Sequence, residues 1–315
     1  MQIIALFGPT GVGKTAVAIA LAQQLRAEGE DPVAVSADAM QVYAGLELLT
    51  GVATPAERAR LEHRLVSFLP LDATFSAGQY AQLAHAQIDE LLAAGRRPIV
   101  VGGTGLYLRA ALSELSLRPP PPEGVRERWT SELERNGSPA LHAILGERAP
   151  QTAAALNPND RQRIVRALEL LDAGELPHPE TPGAGELSQL WSAELRRPTL
   201  LAGLTMEREA LYAAINARVD AMLAAGAREE VLRAHAAGAS ETARKALGFQ
   251  ELLTGDVEAM KRRTRNYAKR QLTWMRKLAG VRVIDATARD PVALAREILH
   301  ATPDLHATPD LDSRA

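Results

Sequence analysis

The 315-residue chain contains no cysteine. That absence rules out disulfides and thiolate metal sites, and it fits a reducing compartment. Aromatic residues make up only 4% of the chain, and the net charge at pH 7 is −2. A near-neutral molecule is not a general polyanion binder, so any nucleic-acid site must be local. The seven histidines are scattered without H-E-x-x-H or similar spacing, which speaks against a protein-built zinc centre. No apolar run approaches the roughly 18 residues that a membrane-spanning helix needs. The first apolar strand starts at about Gln2 and leaves no room for a signal peptide, so a soluble cytoplasmic protein without membrane contact is expected. Hydrophobic and charged contents of 46% and 23% are those of an ordinary globular protein. The length permits one large domain with an insertion, or two domains.

What the chain does have begins at its eighth residue. "GPTGVGKT", Gly8 to Thr15, lies between a short apolar run, Met1 to Phe7, and a stretch with helical character, Lys14 to Arg26. Strand, glycine loop and helix together turn a G-x-x-x-x-G-K-[ST] match into a phosphate-binding prediction. Loop amides form a concave nest, and the helix N-terminus adds partial positive charge. Lys14 is placed to reach the distal phosphates and the Thr15 hydroxyl to ligate Mg²⁺. The motif does not say whose phosphate it holds.

Further strand-like runs follow at Val33–Ser36, Ile99–Val101, Leu200–Leu204 and Val281–Ile284, with helical stretches between them. Alternation of this kind predicts an α/β protein with a doubly wound parallel sheet. Such sheets bind ligands beyond the C-terminal ends of their strands. The segments there are Gly8–Thr15, "SADAMQVY" (Ser36–Tyr43) and "GGTGLY" (Gly102–Tyr107), which should share one crevice. The rhythm breaks at "RPPPP", Arg118 to Pro122, a stiff linker. Residues 119–197 read as a mostly helical insertion with a Pro/Gly/Glu-rich loop at Pro177–Gly185. Residues 1–118 and 198–290 then form the core domain, with long helices over Glu207–Ala225 and Val257–Lys277. Residues 291–315, ending in a tandem HATPDL without aromatics, are expected to be disordered.

Asp38 follows the second strand and should face the phosphate loop, where it could hold Mg²⁺ or act as a base; a helix N-cap is its plainer role. Gln41 could read an adenine edge, although a solvated glutamine is commoner. Thr104 could donate to phosphate, and "GGTG" could equally be a simple turn. Lys261–Lys277, "KRRTRNYAKRQLTWMRK", carries eight basic residues and no acidic one. On a helix, Lys261, Arg265, Lys269 and Arg276 share a face. Missing acidic partners and the interleaved Tyr267 and Trp274 favour a polyanion such as RNA over a merely solvated face. Arg163 and Arg166 form a second, smaller basic cluster.

Together with "NPNDRQRIVRALE", "RVDAMLAAGAREEV" and "KALGFQEL", these blocks resemble, in order, the tRNA dimethylallyltransferases, or tRNA isopentenyltransferases, of the bacterial type without a C-terminal zinc finger. The resemblance spans about Ile3 to Arg276 and implies a P-loop NTPase-like fold. It implies transfer of a dimethylallyl group from dimethylallyl diphosphate to N6 of the adenosine just 3′ of a tRNA anticodon, with Mg²⁺ as cofactor and release of diphosphate. By that resemblance Asp38 is the base at N6, Thr104 contacts the diphosphate and Arg218 adds charge on it. Gly8, Thr10, Gly11, Val12, Gly13, Lys14 and Thr15 would bind the diphosphate, and Thr15 the metal. Asp38, Ala39, Met40, Gln41, Arg126, Gln162, Arg163, Ile164, Val165 and Arg166 would touch the tRNA anticodon stem-loop, joined by Arg265, Lys269 and Arg270 of the basic helix. A monomer is expected. The chain departs from the family pattern at Ala39 (usually Ser), at Val52 and Thr54 in "GVATP", and at Ser67, where an acid is usual. A P-loop small-molecule kinase, an enzyme prenylating free adenine nucleotides and a non-catalytic RNA binder are the competing readings.

Overall fold

The structure, a computed structural model, describes residues 1–115, 121–175 and 190–300. Residues 118–120 of the RPPPP linker, the Pro177–Gly185 loop and the tail past 300 lie outside the described residues. In chain order the elements begin with β1 (Ile3–Phe7), α1 (Lys14–Ala27), β2 (Pro32–Ser36), α2 (Glu47–Thr50), α3 (Pro55–Arg60) and β3 (His63–Arg64). Next come α4 (Ala77–Ala93), β4 (Arg97–Gly102) and α5 (Gly105–Leu112), then three helices, α6 (Val125–Arg148), α7 (Pro150–Ala154) and α8 (Arg161–Asp172). The chain continues through β5 (Thr199–Thr205), α9 (Arg208–Ala224), α10 (Ala227–Ala236), α11 (Phe249–Thr254), α12 (Val257–Met275), β6 (Arg282–Asp285) and α13 (Pro291–Leu299).

Two compact units result, one holding the described residues up to 115 and from 190 onward, the other those from 121 to 175. The larger unit is built on a six-stranded sheet in the order β3-β2-β4-β1-β5-β6, with every pairing parallel. It is a P-loop-type α/β fold. β1, "IIALF", is buried along its whole length because parallel sheets are covered on both faces. From β1 the chain crosses to β2 on one side of the sheet and later returns through β5 to the other. That reversal beside β1 opens a crevice at the C-terminal strand ends. Leu6, Val17, Leu21 and Leu25 pack with Leu204 and Ile215 in the core beneath it.

Two expectations need correction. Residues 63–64 form a sixth strand, pairing Ala34 with His63 and Val35 with Arg64. Two residues are too few to show a period of two in sequence. Residues 291–299 do not belong to a disordered tail, because Pro291–Leu299 is a helix against α1. Asp290 caps it through Ala293 N, Pro291 occupies its first turn, and Leu294, Ala295 and Ile298 are buried.

The helical unit has its own core, in which Trp129, Leu133, Leu141 and Leu145 of α6 meet Ile164, Val165 and Leu168 of α8. α6 breaks at Gly137, whose φ of 78° and ψ of 167° interrupt the helix just before Pro139. Asp160 caps α8 by accepting from Arg163 N. On the buried side of α8, Glu169 is 1% exposed and takes Arg126 Nε at 2.7 Å and Arg166 Nη1 at 3.1 Å. Burial works against its charge, but the two arginines win and hold the carboxyl below its ordinary range. A depressed folded-state pKa gives stability that is present above the unfolded value of 4.5 and is lost as pH falls through the folded value. Glu169→Gln should therefore lower stability by about 2 kcal/mol at neutral pH. It should also flatten the loss of melting temperature below pH 4.5, read by tryptophan fluorescence across a pH series.

Candidate active site

The loop after β1 folds as its glycines permit. Gly11 and Gly13 take φ values of 86° and 92°, and Gly13 is the N-cap of α1. Among the described residues the amides of Gly11, Gly13, Lys14 and Thr15 have no backbone acceptor, so they remain available to an anion. Lys14 Nζ donates to Gly8 O at 2.9 Å and Pro9 O at 3.0 Å, holding the ammonium over the loop with a third N–H to spare. Burial lowers its pKa to about 8, the Arg218 cation acts in the same sense, and Asp38 opposes them. Arg218, on α9, is half-buried; desolvation lowers its pKa, against the pull of Asp38 and Glu57. No hydrogen bond or ion pair engages its guanidinium among the described residues. A negatively charged ligand would satisfy both cations.

Asp38 lies at the start of the segment after β2. One carboxylate oxygen accepts from Met40 N at 2.9 Å, an Asx-type turn that replaces the expected helix cap. The other oxygen has no hydrogen bond among the described residues. Lys14, Arg218, Tyr80, Tyr107 and Tyr267 all feel its charge. Gln41 neither reads solvent nor offers a free edge. Its Oε1 accepts from Ser36 Oγ at 2.9 Å, and its Nε2 donates to Thr50 O and Gly51 O. It ties the end of β2 to the turn that follows α2. Ala39 and Met40 are half-exposed, with Met40 leaning on the apolar cluster around Tyr43.

After β4, Thr104 is the N-cap residue of α5, yet its hydroxyl makes no cap bond. Thr104 Oγ1 instead lies 3.3 Å from Tyr267 Oη of α12. Burial above all raises the Tyr267 hydroxyl to about 12. The glycines of "GGTG" are explained by contact, not by flexibility. A Cβ on Gly102 would lie 2.2 Å from Ala37 O, and one on Gly105 would lie 2.1 Å from the Trp274 ring. All three loops thus meet at one crevice, covered by α12.

The Thr15 hydroxyl stands at the start of α1 beside the loop, and no cluster of three or more carboxylate or histidine ligands exists among the described residues. One hydroxyl beside a cationic, amide-lined loop fits an ion that keeps waters and arrives with phosphate oxygens.

The basic helix is less bare than its sequence suggests. Lys261 pairs with Asp220 at 2.7 Å, Arg263 pairs with Glu251, and Arg265 donates to Asn216 Oδ1 at 2.7 Å. The acidic partners come from neighbouring helices. Arg262, Lys269, Arg270, Arg276 and Lys277 are exposed and make no ion pair among the described residues. Lys269 lies over Tyr212, and Arg270 over Tyr267. In the helical unit Gln162 and Arg163 are exposed, Arg126 and Arg166 bind Glu169, and Ile164 and Val165 are buried. The side chains of Ile164 and Val165 therefore belong to that unit's core and are not available to RNA.

The family model described as IPP transferase matches residues 41–278. The chain belongs to the IPP transferase family. It is 40% identical to the tRNA dimethylallyltransferase of Kineococcus radiotolerans over 96% of this chain and 97% of that one. Its identity to the tRNA dimethylallyltransferase of Bacillus subtilis is 36%, over 90% and 91% of the two chains. Among solved structures it resembles the tRNA isopentenylpyrophosphate transferase of Bacillus halodurans, with a TM-score of 0.66, 32% identity and 94% of each chain covered. It also resembles a eukaryotic dimethylallyltransferase acting on tRNA, with a TM-score of 0.70, 26% identity and coverage of 91% of this chain and 74% of that one.

Sequence reasoning missed Gly51 in this IPP transferase. Its φ is 64°, and a Cβ there would lie 1.7 Å from Arg218 Nη2. The glycine in "GVATP" leaves the room that Arg218 occupies. Gly51→Ala should cost about 1–2 kcal/mol for the left-handed backbone and push the guanidinium aside. Binding of inorganic pyrophosphate, measured by calorimetry, should weaken about as much as in Arg218→Ala.

Proposed function

We propose that this protein transfers a dimethylallyl group from dimethylallyl diphosphate to N6 of the adenosine immediately 3′ of the anticodon in tRNA. The observation that carries the reading is the pairing of opposites in one crevice. Lys14, Arg218 and a row of unpartnered loop amides form a cationic cup, and Asp38 stands beside it with one carboxylate oxygen uncommitted. The relatives named as tRNA dimethylallyltransferases support the substrate pair.

In the transfer, the allylic C–O bond breaks with carbocation character at carbon while negative charge grows on the departing diphosphate. The loop amides, Lys14 and Arg218 stabilise that charge, and the Thr104 hydroxyl supports the bridging region. Adenine N6 forms the new C–N bond, and its proton passes to the free oxygen of Asp38. The second Asp38 oxygen stays on Met40 N, which fixes the carboxylate orientation. Mg²⁺ held at Thr15 would supply further charge neutralisation on the diphosphate. Base stacking hides N6, so the adenosine must leave the anticodon-loop stack to reach Asp38. Exposed Lys269 and Arg270 on α12, with Gln162 and Arg163 on the helical unit, supply donors suited to RNA phosphate.

The deciding assay compares transfer of labelled dimethylallyl to an anticodon stem-loop with transfer to free AMP. Product on the stem-loop alone is expected; product on AMP, or ATP-dependent phosphorylation instead, would replace this reading. Asp38→Ala should lower turnover by about 10²–10⁴-fold while stem-loop affinity changes less than twofold. Neutralising Lys269 should reduce the slope of log affinity against log salt by about 0.7 if it contacts a single-strand phosphate, read in a filter-binding titration.

A further inference from the structure

Helix α12 does more than carry cations. Gln271 in its last turns is 4% exposed, rare for a glutamine, and both ends of its amide are engaged by loops from different strands. Its Oε1 accepts from Thr10 N at 2.9 Å in the loop after β1. Its Nε2 donates to Gly103 O at 2.8 Å in the loop after β4. Both partners are main-chain groups, so the side chain acts on where the backbone lies. A Cβ on Gly103 would fall 2.2 Å from Gln271 Nε2 and 3.1 Å from Gly8 O, so the two loops and the helix close on one point. Tyr267, four residues earlier, reaches Thr104, and Trp274, three residues later, covers Gly105. Spacings of four and three put all three side chains on one helical face. No other described side chain joins the phosphate loop to the Thr104 loop by hydrogen bonds at both ends.

The geometry points to Gln271 as a positioning residue that sets the gap between the phosphate loop and the Thr104 loop. It acts through Thr10 and Gly103 and touches no reacting atom. By engaging the Thr10 amide it leaves those of Gly11, Gly13, Lys14 and Thr15 to face the ligand, and it holds Thr104 at a fixed distance from them. A misplacement of about 1 Å in such a constellation can cost on the order of 100-fold in rate. A glutamine is required because one end must accept and the other donate. Glutamate keeps the acceptor only, and methionine fills the space with neither. The kinetic half of this assignment rests on the prenyl-transfer reading; the structural half does not.

The test is Gln271→Met, read by amide hydrogen exchange and by steady-state kinetics. Peptides covering residues 8–12 and 102–105 should exchange at least tenfold faster, and kcat should fall at least tenfold. Stem-loop affinity should stay within twofold. Gln271→Glu should leave the first peptide protected and expose the second. Met260→Ala, a buried truncation in the same helix, should lower the melting temperature without changing either peptide or kcat. Wild-type exchange in both loops of Gln271→Met would overturn the assignment, as would the same acceleration in Met260→Ala. Should the wild-type protein transfer no prenyl group while the exchange results hold, the functional reading fails and the positioning role stands.

Discussion

An ammonium taken out of water beside a guanidinium is the constraint to which the rest of the crevice answers. Lys14 is held at a pKa of about 8 by burial and by Arg218, with Asp38 as the carboxylate that opposes them. Like charges so placed repel, and the arrangement persists because the surrounding packing is strong enough to impose it. α1, which carries Lys14, and β1, which leads into its loop, are among the most deeply buried elements of the sheet domain. α9, which carries Arg218, is fastened there through Leu211 and Ile215, while Val219 packs in the cluster around Tyr43. A polyphosphate bound there would relieve the repulsion, so the electrostatics favour a highly charged anion.

Asp38 is the carboxylate that faces that cup. A carboxylate bound at both oxygens would be a structural device, and one bound at neither would swing. The single bond from Met40 N leaves it oriented and still able to take a proton. The hydroxyl-bearing side of the crevice is set by α12, whose Tyr267, Gln271 and Trp274 all bear on the loop after β4. The same helix presents exposed cations on its other faces. A single rigid element thus joins the surface suited to RNA with the backbone that shapes the phosphate site.

Three of the departures from the family pattern, Val52, Thr54 and Ser67, sit in defined local structure. Thr54 caps α3, where its hydroxyl accepts from Glu57 N and the Glu57 carboxylate returns to Thr54 N. Val52 is buried, and Ser67 adopts a φ of 49° with its amide donating to Gln41 O. Ser67 and Gln41 therefore belong to one local fold that supports the end of β2. No helix among the described residues is long and apolar enough to cross a membrane.

Much of this was written locally in the chain. β1, the glycine loop and α1 follow from an apolar run, two left-handed glycines and a helix-forming stretch, all contiguous, so the sequence by itself determined the phosphate loop and the parallel alternation around it. It also carried α13, since Asp290, Pro291 and the spacing of Leu294, Ala295 and Ile298 form a cap and an apolar face. Tertiary structure alone decided what the long-range contacts decide. Gln271 meets Thr10 across 261 positions and Gly103 across 168, and Gly51 makes room for Arg218. The acids that neutralise part of α12 come from other helices, and Ile164 and Val165 turn inward because α8 packs on α6. A hydrogen bond or a close approach between distant segments leaves no periodic trace in sequence, because it depends on where the whole sheet carries each backbone.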